Sequence, residues 1–102
     1  PDLSVPVELE KDMNRTMIIK TQQFQGGIVV LKGRVTVSSL IEYFSKKMVE
    51  NGWQPVGSMA AKRSLLAFSK GNQGHCLIQI YDTPSGFNTE VQIWLVEPMD
   101  AF

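Results

Sequence analysis

One cysteine, one histidine and no surplus of either charge sign remove most of the usual routes to a function for this 102-residue chain. With Cys76 alone no internal disulfide can form, and a lone thiol neither requires a reducing compartment nor excludes an oxidising one. Ten basic residues balance ten acidic ones. A nucleic-acid surface needs a clustered positive excess. Lys46, Lys47, Lys62 and Arg63 are too few and too interleaved to make one, so no nucleic-acid partner is expected. No apolar run approaches the ~20 residues that span a bilayer. No second His, Cys or Asp sits at ligand spacing from His75, so neither a metal nor a cofactor is expected. The chain begins at Pro1 rather than Met and reads as processed or trimmed.

What remains is enough for one core. The length suits a single domain, and 43% apolar with 20% charged residues is ordinary globular composition. Residues 1–14, with Pro1, Pro6 and scattered charges, read as an extended, loosely attached lead-in. Residues 15–98 read as one α+β domain, and residues 99–102 as a C-terminal tail. Met13, Met17, Met48, Met59 and Met99 are dispersed, as gap-filling core or surface residues are.

The clearest element is a helix over residues 37–51. Val37, Leu40, Ile41, Phe44 and Met48 make one apolar stripe at the helical period, opposite Ser38, Glu42, Lys46 and Glu50. Thr36 is the expected N-cap, or Ser39 with Glu42 forms a capping box one turn later. Asn51-Gly52 stops the helix, and Trp53 is placed to fold back near Met48.

Around it lie strand patterns. Residues 16–21, rich in β-branched side chains, read as a first strand, and Gln22 to Gln25 with Gly26-Gly27 read as a turn into a strand from Ile28 to Val35. Gly33 marks a bulge or a close approach by another backbone or ring. Residues 53–59 are interrupted by Pro55 and Gly57 and belong at an edge. Residues 64–70, 75–82 and 89–96 follow with short connections, which implies an antiparallel meander. The expected architecture is a two-layer α+β sandwich in the order ββαββββ, one amphipathic helix on a mainly antiparallel sheet.

Alternation divides the sheet into two faces. Cys76, Ile78, Ile80, Val91, Ile93 and Leu95, joined by Leu66 and Phe68, face the helix. The other face carries Leu65, Ala67, Leu77, Gln79, Tyr81, Gln92, Trp94 and Val96, with no charge among them and too apolar for a solvated face. Either the lead-in or cross-strand pairing of Tyr81 with Trp94 covers it, or a protein partner or second copy of the chain does. Leu65, Leu77, Tyr81, Trp94 and Val96 are therefore the candidate interaction face, with Trp94 central and Tyr81 its neighbour. Phe87, on the loop tip after Ser85-Gly86, is a candidate loop contact or a ring tucked under the sheet edge.

Signals of catalysis are weaker than their structural readings. His75 opens a strand beside a Gly-rich turn and is a strand-end residue unless Asp82 or Glu90 joins it in acid–base work. Cys76 faces inward among apolar neighbours and reads as an inert core thiol. Gly71-Asn72-Gln73-Gly74 lacks the Lys and helix of a phosphate loop.

The run Gly33-Arg34-Val35, Ser39-Leu40, Tyr43-Phe44, Met48, Asn51-Gly52-Trp53, Phe68, Lys70 and Ile93-Trp94 resembles the small domain of uncharacterised bacterial envelope lipoproteins. The likeness runs from about Gly26 to Pro98. The helix-on-meander layout is also similar to helix-grip-type domains of other envelope lipoproteins and their assembly factors. The resemblance implies export to the bacterial envelope or periplasm, membrane attachment only through a lipidated cysteine upstream, and a non-catalytic role. The expected function is a non-enzymatic interaction or structural module. The alternative is a small-ligand-binding domain using the helix–sheet cleft near Gly33, Trp53 and Phe87.

Overall fold

A computed structural model describes residues 5–98 and gives seven strands and one helix. These are β1 (Glu10–Lys11), β2 (Met17–Lys20), β3 (Phe24–Gly33), α1 (Val37–Glu50), β4 (Gln54–Met59), β5 (Ser64–Ser69), β6 (His75–Asp82) and β7 (Thr89–Pro98). All pairings are antiparallel, in the order β1-β3-β7-β6-β5-β4, and β2 shares with β1 the remaining edge of β3. The helix lies on one face, which is the expected two-layer α+β architecture with one short strand added. Expected residues 99–102 lie outside the described residues.

The helix follows from its sequence. Thr36 caps it, its hydroxyl accepting from the Ser39 N–H at 3.2 Å, so the alternative start at Ser39 is not used. Leu40, Phe44 and Met48 are buried along the stripe. At the far end the Trp53 N–H bonds the Met48 carbonyl at 2.9 Å and the Gly52 N–H bonds Val49 at 3.0 Å. That paired closure requires a left-handed residue at Gly52, whose φ is 92°. Trp53 is carried back into the core cluster with Met48, as its position after the stop implied. Gly71–Gln73 form a 3-10 turn between β5 and β6.

Three expectations near the N-terminus are corrected. Gly26-Gly27 is no turn: both residues lie inside β3, and neither has a positive φ. The turn is Gln22-Gln23, closed by the Thr21 N–H on the Phe24 carbonyl at 2.8 Å, while the Thr21 hydroxyl accepts from the Phe24 N–H at 3.0 Å. The glycines serve closeness instead. A Cβ on Gly26 would meet the Leu95 carbonyl of β7, and one on Gly27 the Met17 carbonyl of β2. Residues 5–14 of the lead-in are also attached rather than loose, and residues 1–4 lie outside the described residues. Glu10–Lys11 pairs with Leu31 and Lys32 of β3, Leu9 is buried, and the Glu8 backbone crowds Gly33. The strand stops at Gly33 rather than Val35.

The core lies between helix and sheet: Leu40, Phe44, Met48, Trp53, Leu66, Phe68, Cys76, Ile78, Ile80, Val91 and Ile93, closed by Leu9 and Leu31. β4 is an edge strand whose register slips between Pro55 and Gly57, as its composition required. Cys76 is buried, and burial, with the Glu97 charge as a second cause, pushes its thiol up to about 12. The inert thiol is therefore a consequence of the inward parity of β6.

Two measurements test this core. Phe44→Ala, at a ring only 1% exposed, should cost about 3–5 kcal/mol in chemical denaturation; an unchanged midpoint would refute the helix register. Cys76 should resist an aromatic disulfide reagent at neutral pH while the protein is folded and react fully in denaturant.

Candidate functional site

Register places the residues of the outer face in cross-strand rows. Tyr81 opposes Glu90, Gln79 opposes Gln92, Leu77 opposes Trp94 and His75 opposes Val96. On the far side of β7, Glu90 opposes Lys32, Gln92 opposes Val30, Trp94 opposes Ile28 and Val96 opposes Gly26. The face is thereby cut into a polar half and an apolar half.

The polar half is built around Glu90, which alternation puts on the outer face and which is only 5% exposed. Arg15 donates to both its carboxylate oxygens, at 2.6 and 2.9 Å, and the Tyr81 hydroxyl donates to it as well. Gln92 donates to the Tyr81 hydroxyl at 2.7 Å, and the Trp94 indole N–H donates to Gln92 at 3.3 Å. Arg63 lies 4.0 Å over the Tyr81 ring and donates to Gln79 at 3.2 Å. The absence of charge expected for this face is thus overturned. The buried carboxylate is tolerated because it is paired and hydrogen-bonded.

Arg15 reaches this position because the chain leaves the sheet between β1 and β2. Over residues 12–16 the Asp12 N–H donates to the Val30 carbonyl at 2.7 Å, and the Val30 N–H donates to the Thr16 hydroxyl at 3.2 Å. The excursion therefore leaves no buried β3 amide unpaired while it lifts Arg15 over the sheet. The Arg15 guanidinium, chiefly by hydrogen bonding, holds the Glu90 carboxyl below the usual carboxylate range against the opposing effect of burial. Burial first, and then Glu90, raise Tyr81.

The apolar half is different. Met17, Ile28, Trp94 and Leu77 form one row across β2, β3, β7 and β6, and Ile19, Gly26 and Val96 form the next. Trp94 is 42% exposed and Val96 48%; Met17 and Ile19 are exposed beside them. Ile28 and Leu77 are half-buried between.

Of the five expected face residues, Leu77, Trp94 and Val96 come together. Tyr81 does not adjoin Trp94: it opposes Glu90, and the two rings are linked only through Gln92. Leu65 lies away on β5, opposite Gln79 and Met59. Within the described residues the lead-in does not cover the face, since Val5 to Glu8 pack near Val35, Leu40 and Tyr43 on the helix side. Phe87 is 72% exposed on its loop, not tucked under the edge. Sequence reasoning missed Glu90, Arg15, Arg63, Met17 and Ile19. Glu90 was available by parity, two residues before Gln92; Arg15 had no local signal.

The expected cleft residues do not meet in one opening. Gly33 is crowded by the Glu8 backbone, Trp53 is 3% exposed, and Phe87 stands on an outer loop. The indole N–H of Trp53 has no partner among the described residues. An opening of ≈ 510 Å³ instead separates α1 from β4 and β5. His75 and Asp82 sit at opposite ends of β6, about 23 Å apart at the usual strand rise, and Glu90 is engaged by Arg15. Among the described residues no helix is long and apolar enough to cross a membrane. No protein-family model, curated protein or solved structure matches the chain.

The carboxylate gives a pH test. A group whose pKa is lowered in the fold contributes stability that is fully present above its unfolded value, roughly pH 4.3, and lost as pH falls through the lowered folded value. Wild type should therefore exceed Glu90→Gln in urea midpoint at about pH 7, and the gap should close below about pH 4. A gap independent of pH would show that the carboxylate charge is not what stabilises this half.

Proposed function

We propose that this domain is a non-enzymatic interaction module that docks a protein partner or a second copy of itself through the apolar half of its outer sheet face. The observation that carries the reading is the exposed, contiguous patch of Met17, Ile19, Trp94 and Val96 around half-buried Ile28 and Leu77. Monomers rarely leave such patches in water, and aromatic side chains are favoured anchors where proteins meet. Trp94 is also pre-oriented, its indole N–H held by Gln92, so less side-chain freedom is lost on docking. The adjacent polar half supplies a rim in which Glu90 is already paired with Arg15.

The non-enzymatic part is supported by the separation of His75 from Asp82, the engagement of Glu90 by Arg15, and the burial of Cys76. The resemblance to envelope lipoprotein domains supports an assignment to the bacterial envelope or periplasm, with any membrane attachment through a lipid anchor upstream.

Sedimentation equilibrium from about micromolar to millimolar concentration tests self-association. Wild type should dimerise and Trp94→Lys remain monomeric, while Lys46→Ala, on the solvent side of the helix, should behave as wild type. A photo-crosslinker at position 96 in the producing cell tests docking to another protein; it should capture one species that Trp94→Lys loses. A monomer at every concentration with no such crosslink would remove the proposal.

A further inference from the structure

One row of the outer face ends on the sole histidine of the chain. Ile19, Gly26, Val96 and His75 stand side by side across β2, β3, β7 and β6, next to the row that holds Trp94. His75 is exposed. Directly opposed side chains on one sheet face lie about 4.5–5.5 Å apart at Cβ, so whatever covers Val96 takes His75 out of water as well.

Two features of the same patch fit each other. Trp94 is its large exposed ring, and Gly26, beside Val96 in the adjacent row, leaves a gap without a side chain. The gap is fixed, because a Cβ there would strike the Leu95 carbonyl. A symmetric dimer joins one patch to itself, and a two-fold axis between the two features seats each Trp94 over the other copy's Gly26. Apart from His75 no titratable side chain stands in these two rows, so two copies meet there without like-charge contact.

We propose that the partner is a second copy of this chain, seated with Trp94 over Gly26 in both directions, and that protonation of His75 releases it. The inference rests on the docking reading above and adds the occupant and its control. An imidazole is the side chain that ordinarily changes charge between pH 5 and 8. In the free domain water solvates either form. In the dimer the facing surface is the same apolar patch, so an imidazolium loses its water and finds no carboxylate.

Nor does its own copy supply one. Val96 opposes His75 from β7 and Ser69 from β5, with Gln54 of β4 beyond, and the turn Gly71–Gln73 carries no charge. Lys70 lies over the Trp53 ring, and Glu97 and Lys20 stand on the helix side. Glu90, Arg15 and Arg63 gather around Tyr81 at the other end of β6. The dimer therefore binds fewer protons than two monomers. Its affinity is complete above the ordinary imidazole range and is lost as pH falls through it, by up to about tenfold per imidazole for each pH unit below.

Sedimentation equilibrium of the whole domain at about pH 7.5 and about pH 5.5 tests the switch, a window in which the lowered Glu90 carboxyl stays ionised. Wild type should dimerise at the higher pH, and its dissociation constant should rise about tenfold to hundredfold at the lower. His75→Gln should give one dissociation constant at both. In a mixture of labelled and unlabelled chains, isotope-filtered NOEs should join the Trp94 ring to the Gly26 Hα of the other copy. A wild-type constant unchanged with pH, or a pH loss that His75→Gln shares, would overturn the switch while the dimer stands. Intermolecular NOEs confined to other residues would overturn the seating. A monomer at both pH values would remove the second copy and the switch with it, and the docking reading would then rest on the crosslink from position 96 alone.

Discussion

The pairing of β3 with β7 is the constraint on which the remainder of the structure depends. The ten-residue ladder from Phe24 opposite Pro98 to Gly33 opposite Thr89 is the sheet contact that joins the N-terminal strands to the meander of β4 to β7. Closing so long a chain segment costs entropy before any contact forms. The ladder offsets it with a full set of backbone bonds and with Val30, Leu31, Val91 and Ile93, each 2% exposed or less. Gly26 and Gly27 permit it, because β3 is approached there from both sides with no room for a Cβ. A side chain at either position would push apart the strands that set every other register.

That ladder also explains why a carboxylate is buried on the outer face. Glu90 is held by Arg15 from before β2, by Tyr81 from β6, and stands on β7, so one charge gathers three parts of the chain. Apolar alternation alone distinguishes the two faces only by parity, and a one-residue slip would exchange them. In the slipped register Glu90 would enter the apolar core without Arg15, at the cost of an unpaired buried charge. The polar half therefore adds specificity of register to the stability that the lowered Glu90 carboxyl contributes.

The helix and the last three strands were legible because each depends on local pattern: a stripe at the helical period, a Gly stop, and alternation over six or more residues. The β2–β3 turn was misplaced because paired glycines satisfy two different demands, a positive φ or a close neighbour, and only the tertiary structure says which. Leu9 and Glu10–Lys11 were not legible, since a two-residue strand has no period to detect. The candidate face was half legible. Parity located Leu77, Trp94 and Val96, while the β6–β7 register set Tyr81 opposite Glu90, two pairs from Trp94, and Arg15, far away in sequence, completed the polar half there.

The two edges of the sheet are managed by different devices. At β4, Pro55 and the bulge at Val56 blunt the edge in the manner that discourages strand addition. At β2 the devices are different: the strand is four residues long and ends on the charged Lys20, while Met17, Ile18 and Ile19 are exposed and free of Pro or Gly. The Thr21 N–H bond to Phe24 makes the odd residues of β2 the bonded positions, so the backbone groups of Ile18 and Lys20 point away from β3. Ile18 faces the helix side with Gly27, Val29 and Leu95, whereas Met17 and Ile19 face the Trp94 side. The β2 corner therefore exposes Met17, Ile18 and Ile19 on the two surfaces of the sheet, with Lys20 and Glu97 beside Ile18 on the helix side. One edge is thus blunted by a break in its ladder and the other by its brevity and its terminal charge, two solutions to the same demand that unpaired backbone groups not recruit another strand.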